Sequence, residues 1–360
     1  MDEHSPNIAT ASPEASVEVW HAFDEIEQEW EALAERADAV PFARPGWYRA
    51  WWNAFSRGEL EIVGVRAGDL LTGVLPMERR KGVLATLTND HTPAFGLLAR
   101  DAAAARDLME AVLSRGGRRA TLVFLEADDL EAAVEGARLA GRRAVVADPP
   151  FETSPYVDLS GTYEEFSETL NTKVRGEIRR RWRKLEKEGE VEVDIRDGSD
   201  GLDALLVEGF AIEPSGWKAE QGTAIVSSPT TERFYTEVAR WAAEKGLLRL
   251  VFLRLNGKGI AFKFGIESGG AFYSLKSGFD VEFRKLAPQK VLNDAMMRRG
   301  FEIGLSSFEF LGNADSWKCD WTSTLRERHL VHTFAPVTGI PEWLGVRFGP
   351  RRVTMGLAYR

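Results

Sequence analysis

The sequence predicts a mixed α/β protein built as two tandem domains, each a largely antiparallel sheet flanked by helices. Three observations predict it. Helical stripes and strand-like runs alternate through all 360 residues, the mark of mixed architecture. Asn256-Gly257-Lys258 and Ser268-Gly269-Gly270 are hairpin turns that join three consecutive strands. Both halves follow one coarse plan, helices, then a meander, then helix and strand, and the proline-rich stretch Asp148 to Pro155 lies between them. The expected division is a loose tail at 1–15, a first domain at 16–148, a second at 149–345 that carries any activity, and a tail at 346–360.

In order along the chain, Phe23, Ile26, Trp30 and Leu33 make a helical stripe. Trp47, Trp51 and Phe55 give a second helix an aromatic face. Strands are expected at Leu60–Arg66 and Leu70–Arg80, joined at Gly68-Asp69, and near Val83–Leu87, Arg119–Leu125 and Arg143–Val146. Helices fill Ala102–Ser114 and Asp129–Ala140. The second half opens with one long basic helix, about Tyr163 to Lys187, stopped by Gly189. A strand at Val191–Ile195, a helix at Leu202–Phe210 and a helix from Ser228-Pro229 to Lys245 precede the meander Leu248–Leu255, Gly259–Ile266, Ala271–Ser277. A helix from Pro288 to Phe301 and a strand at Ser307–Leu311 follow.

Composition excludes several classes. Hydrophobic residues are 44% and charged residues 28% of the chain, too apolar for a disordered protein. No apolar run approaches the ~18 residues of a membrane span. The single Cys319 excludes an intrachain disulfide framework. The five histidines show no helical ligand pair, so no metal site is expected. The acidic start has no apolar signal core, and the expected location is the cytoplasm. The net charge is −9, yet residues 171–189 hold eight bases and three acids. One basic helix on an acidic protein suits a specific anionic partner better than DNA.

Four stretches can carry chemistry. At Tyr273-Ser274-Leu275-Lys276-Ser277-Gly278-Phe279-Asp280, followed by Arg284, Lys285 and Pro288-Gln289-Lys290, a strand feeds a loop and a proline-started helix. Such a helix start suits a phosphate; it is equally an ordinary helix start with solvated bases. Phe310-Leu311-Gly312 releases a loop with Asp315, Trp317, Lys318 and Trp321, which reads as a binding loop or as a core plug. Arg175, Arg179 and Arg183 form a row beside the apolar stripe Val174, Ile178, Trp182 and Leu185, able to bind carboxylate or phosphate, or to stay solvated. Trp217 and Lys218 can wall a pocket or anchor the core. Cys319 and His91 read as bystanders. No nucleophile elbow, Walker loop or dinucleotide fingerprint is present.

The order of these motifs carries a resemblance: basic helix, Trp217-Lys218, proline-started helix, meander, Tyr273-x-Leu-Lys276-x-Gly-Phe-Asp280, Pro288 helix, then Phe308-x-Phe310-Leu-Gly312, Trp317-Lys318 and Trp321. It resembles the GNAT superfamily, and within it the large bacterial CelD-like (cellulose biosynthesis) acetyltransferases, related in fold to the FemABX peptidyltransferases that pair two GNAT-like domains. The resemblance is strongest over 160–325 and reaches the first half through Phe23–Leu33 and Pro45–Trp52. It implies two GNAT-like domains and acyl transfer from acetyl-CoA or another acyl-CoA to an amine of a small molecule, sugar or peptide precursor. The matching phosphate loop is Arg284-Lys285-Leu286-Ala287-Pro288-Gln289, with Ala287 and Gln289 where the family has glycine and a small residue, and Lys290 just beyond. On this reading Asp280 and Asp315 are candidate bases or amine anchors, and Tyr273 and Lys276 orient substrate or thioester. Trp217, Lys218, Lys318, Trp321, Arg175 and Arg179 contact substrate. Two alternatives stay open: an aminoacyl-tRNA donor, as in FemABX enzymes, or a scaffold without catalysis.

Overall fold

The structure is a computed structural model that describes residues 15–213 and 225–336. Among these residues fourteen strands form one continuous, mostly antiparallel sheet with helices on both faces. The first half contributes β1 (Ala15–Trp20), β2 (Glu59–Ala67), β3 (Leu70–Arg80), β4 (Val83–Thr86), β5 (Leu98–Ala99), β6 (Arg119–Glu126) and β7 (Arg143–Val146). Its helices are α1 (Glu27–Arg36), α2 (Pro45–Phe55), α3 (Ala102–Ser114) and α4 (Leu130–Leu139). The second half adds β8 (Glu152–Asp158), β9 (Val191–Arg196), β10 (Leu248–Leu255), β11 (Lys258–Ser268), β12 (Ala271–Phe279), β13 (Ser307–Glu309) and β14 (Leu325–Phe334). Its helices are α5 (Tyr163–Thr169), α6 (Thr172–Glu188), α7 (Leu202–Ile212), α8 (Pro229–Glu244), α9 (Pro288–Glu302) and the short α10 (Ser316–Cys319).

The hairpin turns do what their residues dictate. Asn256 and Gly257 both take positive φ, 51° and 80°, the twist that joins antiparallel strands tightly. The register Leu248↔Ile266 to Leu255↔Lys258 follows.

Two expectations are corrected. The proline-rich stretch is a linker only up to Phe151; Glu152–Asp158 is a central strand. Pro155 is tolerated because β8 changes partners there. Residues 152–155 pair with β14, and 156–158 pair with β13. The missing N–H falls at the exchange point, where no ladder bond needs it. The long basic helix is two helices. Leu170 is extended, and the Asn171 side chain accepts from Lys173 N–H to start α6 afresh.

The last described strand does not stay with its own half. β14 pairs with β6 and β7 of the first half and with β8. The two halves also meet through aromatic rings. Trp47 of α2 lies edge-on to Phe234 of α8 at 5.4 Å, and Phe42 lies edge-on to Tyr273 at 5.4 Å. One apolar core runs through this junction. A second lies on the opposite face, under α6 and α9.

Candidate functional site

β12 pairs with β13 in parallel only over Ala271–Tyr273 against Ser307–Glu309, although β12 runs on to Phe279. Beyond Tyr273 this pairing stops, because β13 ends at Glu309, and the start of α9 lies at the far end of β12. Gln289 Nε2 donates to the carbonyls of Phe262 and Gly278, tying the helix to the end of β12. Gln289 is thus an anchor of the helix start rather than a free side chain. Lys290 bridges Glu177 Oε2 at 3.0 Å and Asp320 Oδ2 at 3.2 Å, so its charge fastens α9 to α6 and to the loop after α10. Arg284 and Lys285 are exposed beside it.

Ala287 caps α9 with φ 51° and ψ 55°, the left-handed region where a Cβ is strained and glycine is at ease. Pro288 has no N–H, and the N–H groups of Lys290 and Val291 both turn back to the Ala287 carbonyl. Gln289 N–H is what the first turn has left for an anion. Ala287→Gly is expected to stabilise the protein by about 0.5–1 kcal/mol, since the native φ suits glycine; an unchanged or lower urea midpoint would contradict the strain.

The floor of the junction is polar. Phe272, Phe308 and Val157 point into the core under α9. Strand alternation therefore turns Tyr273, Glu309 and Tyr156 to the opposite face, where the pairings Tyr273↔Glu309 and Glu309↔Tyr156 place them in one row. Arg326 donates to Glu309 Oε1 at 2.9 and 2.8 Å and stacks over Tyr156 at 4.1 Å. Next to it, buried Arg328 reaches Glu126 at 3.1 Å and Glu152 at 3.2 Å. A charged stripe thus crosses β12, β13, β8, β14 and β6. It reaches solvent at Arg326, whose side chain is 39% exposed.

Two buried atoms on this stripe have no hydrogen-bond partner, Glu309 Oε2 and Ser154 Oγ. A buried orphan carboxylate oxygen marks a place for a donor. Burial pushes the Tyr273 phenol up, helped by the nearby Glu309 charge, so it stays a neutral O–H donor. Burial also raises the Glu126 and Glu152 carboxyls, against the pull of Arg328. Lys276 follows Tyr273 on β12, with its ammonium 5.6 Å from the Tyr235 ring. Across from it, His91 stacks on Phe55 at 5.6 Å. Burial and the Lys276 charge hold His91 at about 4, so it is neutral near pH 7.

The other expected residues lie apart from this row. Asp280 accepts from Glu282 N–H and pairs with Lys258 at 2.9 Å; the Lys258 hydrogen bond holds its carboxyl below the usual range. Lys318 is buried and donates to the carbonyls of Leu311 and Asn313, both at 2.8 Å, and pairs with Asp315 at 3.1 Å. Its protons are occupied in clamping its own loop, and the exposed Asp315 is part of that clamp. Trp321 is core and lines a cavity of about 970 Å³ on the α6 face, which the exposed Cys319 also lines. Arg179 is exposed on α6, and Arg175 is half-buried there. Trp217 and Lys218 lie outside the described residues.

Sequence reasoning missed Glu309. Its signal was an acid between Phe308 and Phe310 in a strand. Its partners Tyr156, just past the stretch read as linker, and Arg326 come from residues given no element. Among the described residues no helix is long and apolar enough to cross a membrane, and no group of three His, Cys, Asp or Glu could hold a metal ion.

Residues 172–319 match the family described as the acetyltransferase (GNAT) domain. No curated protein sequence matches the chain. Three solved structures share the fold along nearly the whole chain. The C-terminal domain of a protein named as a lysylphosphatidylglycerol synthetase of Agrobacterium fabrum is 14% identical with a TM-score of 0.58, covering 91% of this chain and 95% of that one. FemX is 13% identical with a TM-score of 0.59, covering 92% and 99%. A conserved protein of unknown function from Bacteroides thetaiotaomicron is 11% identical with a TM-score of 0.58, covering 89% and 100%. Residues 172–319 are thus similar to the acetyltransferase (GNAT) domain, within a mixed α/β fold whose sheet spans both halves of the chain.

Proposed function

We propose that the protein is an N-acyltransferase that moves an acyl group, in the first instance acetyl, from acyl-CoA to an amine of a small molecule, sugar or peptide precursor. The observation that carries this reading is the end of the parallel β12–β13 pairing at Tyr273 and Glu309, with the start of α9 tied to the far end of β12. A thioester carrier laid along β12 beyond Tyr273 would set its diphosphate against Gln289 N–H, Arg284 and Lys285, with the helix dipole in favour. Its carbonyl would reach the strands where their pairing ends, at Tyr273 and Glu309.

There the amine attacks the thioester carbon. The C–N bond forms, the C–S bond breaks, and the ammonium proton passes to Glu309 Oε2. Tyr273 donates to the oxyanion or to the leaving sulfur. Glu309 takes the base's role in this reading in place of Asp280, because Asp280 is already held ionised by Lys258. Lys276 and the residues around His91 would border the acceptor.

Calorimetry with acetyl-CoA and longer acyl-CoAs tests the reading. Micromolar binding is expected, weakened at least tenfold by the charge reversals Arg284→Glu and Lys285→Glu together. Absence of binding to every acyl-CoA would sink it. A second reading, an aminoacyl-tRNA donor, is favoured by the fold shared with FemX along nearly the whole chain and by Arg179 and Arg183 of α6, which make no ion pair among the described residues; loss of activity on RNase treatment would select it.

A further inference from the structure

We propose that the groove between α6 and α9 at Arg298 binds a small soluble phosphate ester with a flat ring, of nucleotide type, apart from the acyl-transfer site. The groove measures about 580 Å³ and is lined by Arg179, Trp182, Arg183, Glu186 and Arg298, a volume that suits a small ligand. Arg298 lies eight residues beyond Lys290 on the same helix, roughly 12 Å along its axis at ~1.5 Å per residue. The groove is therefore well removed from the start of α9.

Two features distinguish it from a solvated helix face. First, its walls are fixed from below. Buried Asp294 accepts from Trp182 Nε1 at 2.8 Å and from Arg298 Nε at 2.9 Å, and also from the Tyr163 hydroxyl. Arg298 in turn stacks over Tyr163 at 3.9 Å. One carboxylate therefore holds both an indole and a guanidinium in place before any ligand arrives. Second, the upper arginines are left without carboxylates. Arg180 and Arg181 pair with Glu177, whereas Arg179 and Arg183 make no ion pair among the described residues, in a chain where acids outnumber bases 55 to 46. Arg183 Nε donates only to the Arg179 carbonyl, at 3.3 Å.

Three guanidiniums from two helices fork onto phosphate oxygens better than onto any neutral group. The Trp182 ring beside them offers a stacking surface for a base. Glu186 supplies an acceptor for a hydroxyl such as that of a ribose, and it limits how many negative charges the groove takes.

Calorimetry of the full chain at low salt, with ADP and with inorganic pyrophosphate, tests this. ADP is expected to bind with a Kd below about 1 mM and more tightly than pyrophosphate. Arg179→Ala with Arg183→Ala is expected to weaken ADP at least tenfold. Lys184→Ala, on the exposed side of the same helix, should change it less than twofold. Both arginines are exposed, and a circular-dichroism melt checks that the double variant folds. Three results would each overturn the proposal: no ADP binding by the wild type, equal binding by the double variant, or binding only to RNA or to phosphatidylglycerol vesicles. Because coenzyme A carries an ADP moiety, the charge reversals Arg284→Glu and Lys285→Glu are run alongside. They are expected to leave ADP binding in the groove within twofold. ADP binding lost with them but kept by the Arg179→Ala, Arg183→Ala double variant would place ADP at the start of α9 and overturn the proposal.

Discussion

Glu309→Gln is expected to lower amine acylation about 100- to 1000-fold, the range that removal of a positioned proton acceptor costs. It should leave acyl-CoA affinity within twofold. Glutamine keeps the shape of the side chain, and its amide oxygen can still accept from Arg326, which Glu309 Oε1 does now. What it loses is the anionic Oε2, buried and without a partner, to which the ammonium proton would pass. The measurement is thiol release from acetyl-CoA in the presence of a panel of primary amines, with a thermal melt to show that the fold survives. A rate within threefold of wild type would return the proton to another group. A structural role for Glu309 makes the opposite forecast, a lowered melting point with the rate per folded molecule unchanged.

Much of the fold was legible because its cues are local. Leu70–Arg80, Ala102–Ser114 and Leu248–Leu255 occupy the residues that periodicity and turn chemistry give them. Strands whose reasons are not local were hidden. Glu152–Asp158 contains Pro155, and it is a strand only because β13 and β14 flank it from far along the chain. Leu325–Phe334 shows no clean alternation, with Arg326, Glu327 and Arg328 in a row, and finds partners 170 or more residues upstream. The site divides the same way. The stretch from Arg284 to Lys290 is one contiguous motif, and its helix start at Pro288 was readable. The stripe Tyr273, Glu309, Tyr156, Arg326 and Arg328 takes its residues from four strands, two of them the hidden ones. Sequence showed Tyr273 there and could not show its neighbours. Lys318 is a different case: its ion pair with Asp315 is one of the two roles the sequence offered, but its bonds to the carbonyls of Leu311 and Asn313, in a loop with Leu311 and Gly312 at positive φ, are not revealed by residue type alone.

The hidden strands also set the largest stability effect. Arg328→Met is expected to destabilise the protein by about 3–5 kcal/mol at pH 8, the cost of stranding buried charge. Arg328 is 1% exposed and lies between Glu126 and Glu152, so it joins the end of β6 to the start of β8 through β14. Without it, the buried Glu152 and the half-buried Glu126 both lose their arginine partner. Burial already raises both carboxyls in the wild type. An acid whose folded pKa lies above its unfolded one binds more protons in the fold, so it favours folding at low pH and loses that contribution as pH rises. Removing Arg328 raises both acids further and widens that window. The deficit relative to wild type should therefore be small near pH 4.5 and complete by about pH 8, read from urea midpoints at the two pH values. Adding Glu152→Gln to Arg328→Met removes one of the stranded charges and should recover part of the loss at pH 8 and little at pH 4.5. A deficit that is equal at both pH values would mean that Arg328 matters for its packing alone, and the junction would then be held by the aromatic contacts of Trp47 and Phe42 rather than by its charges.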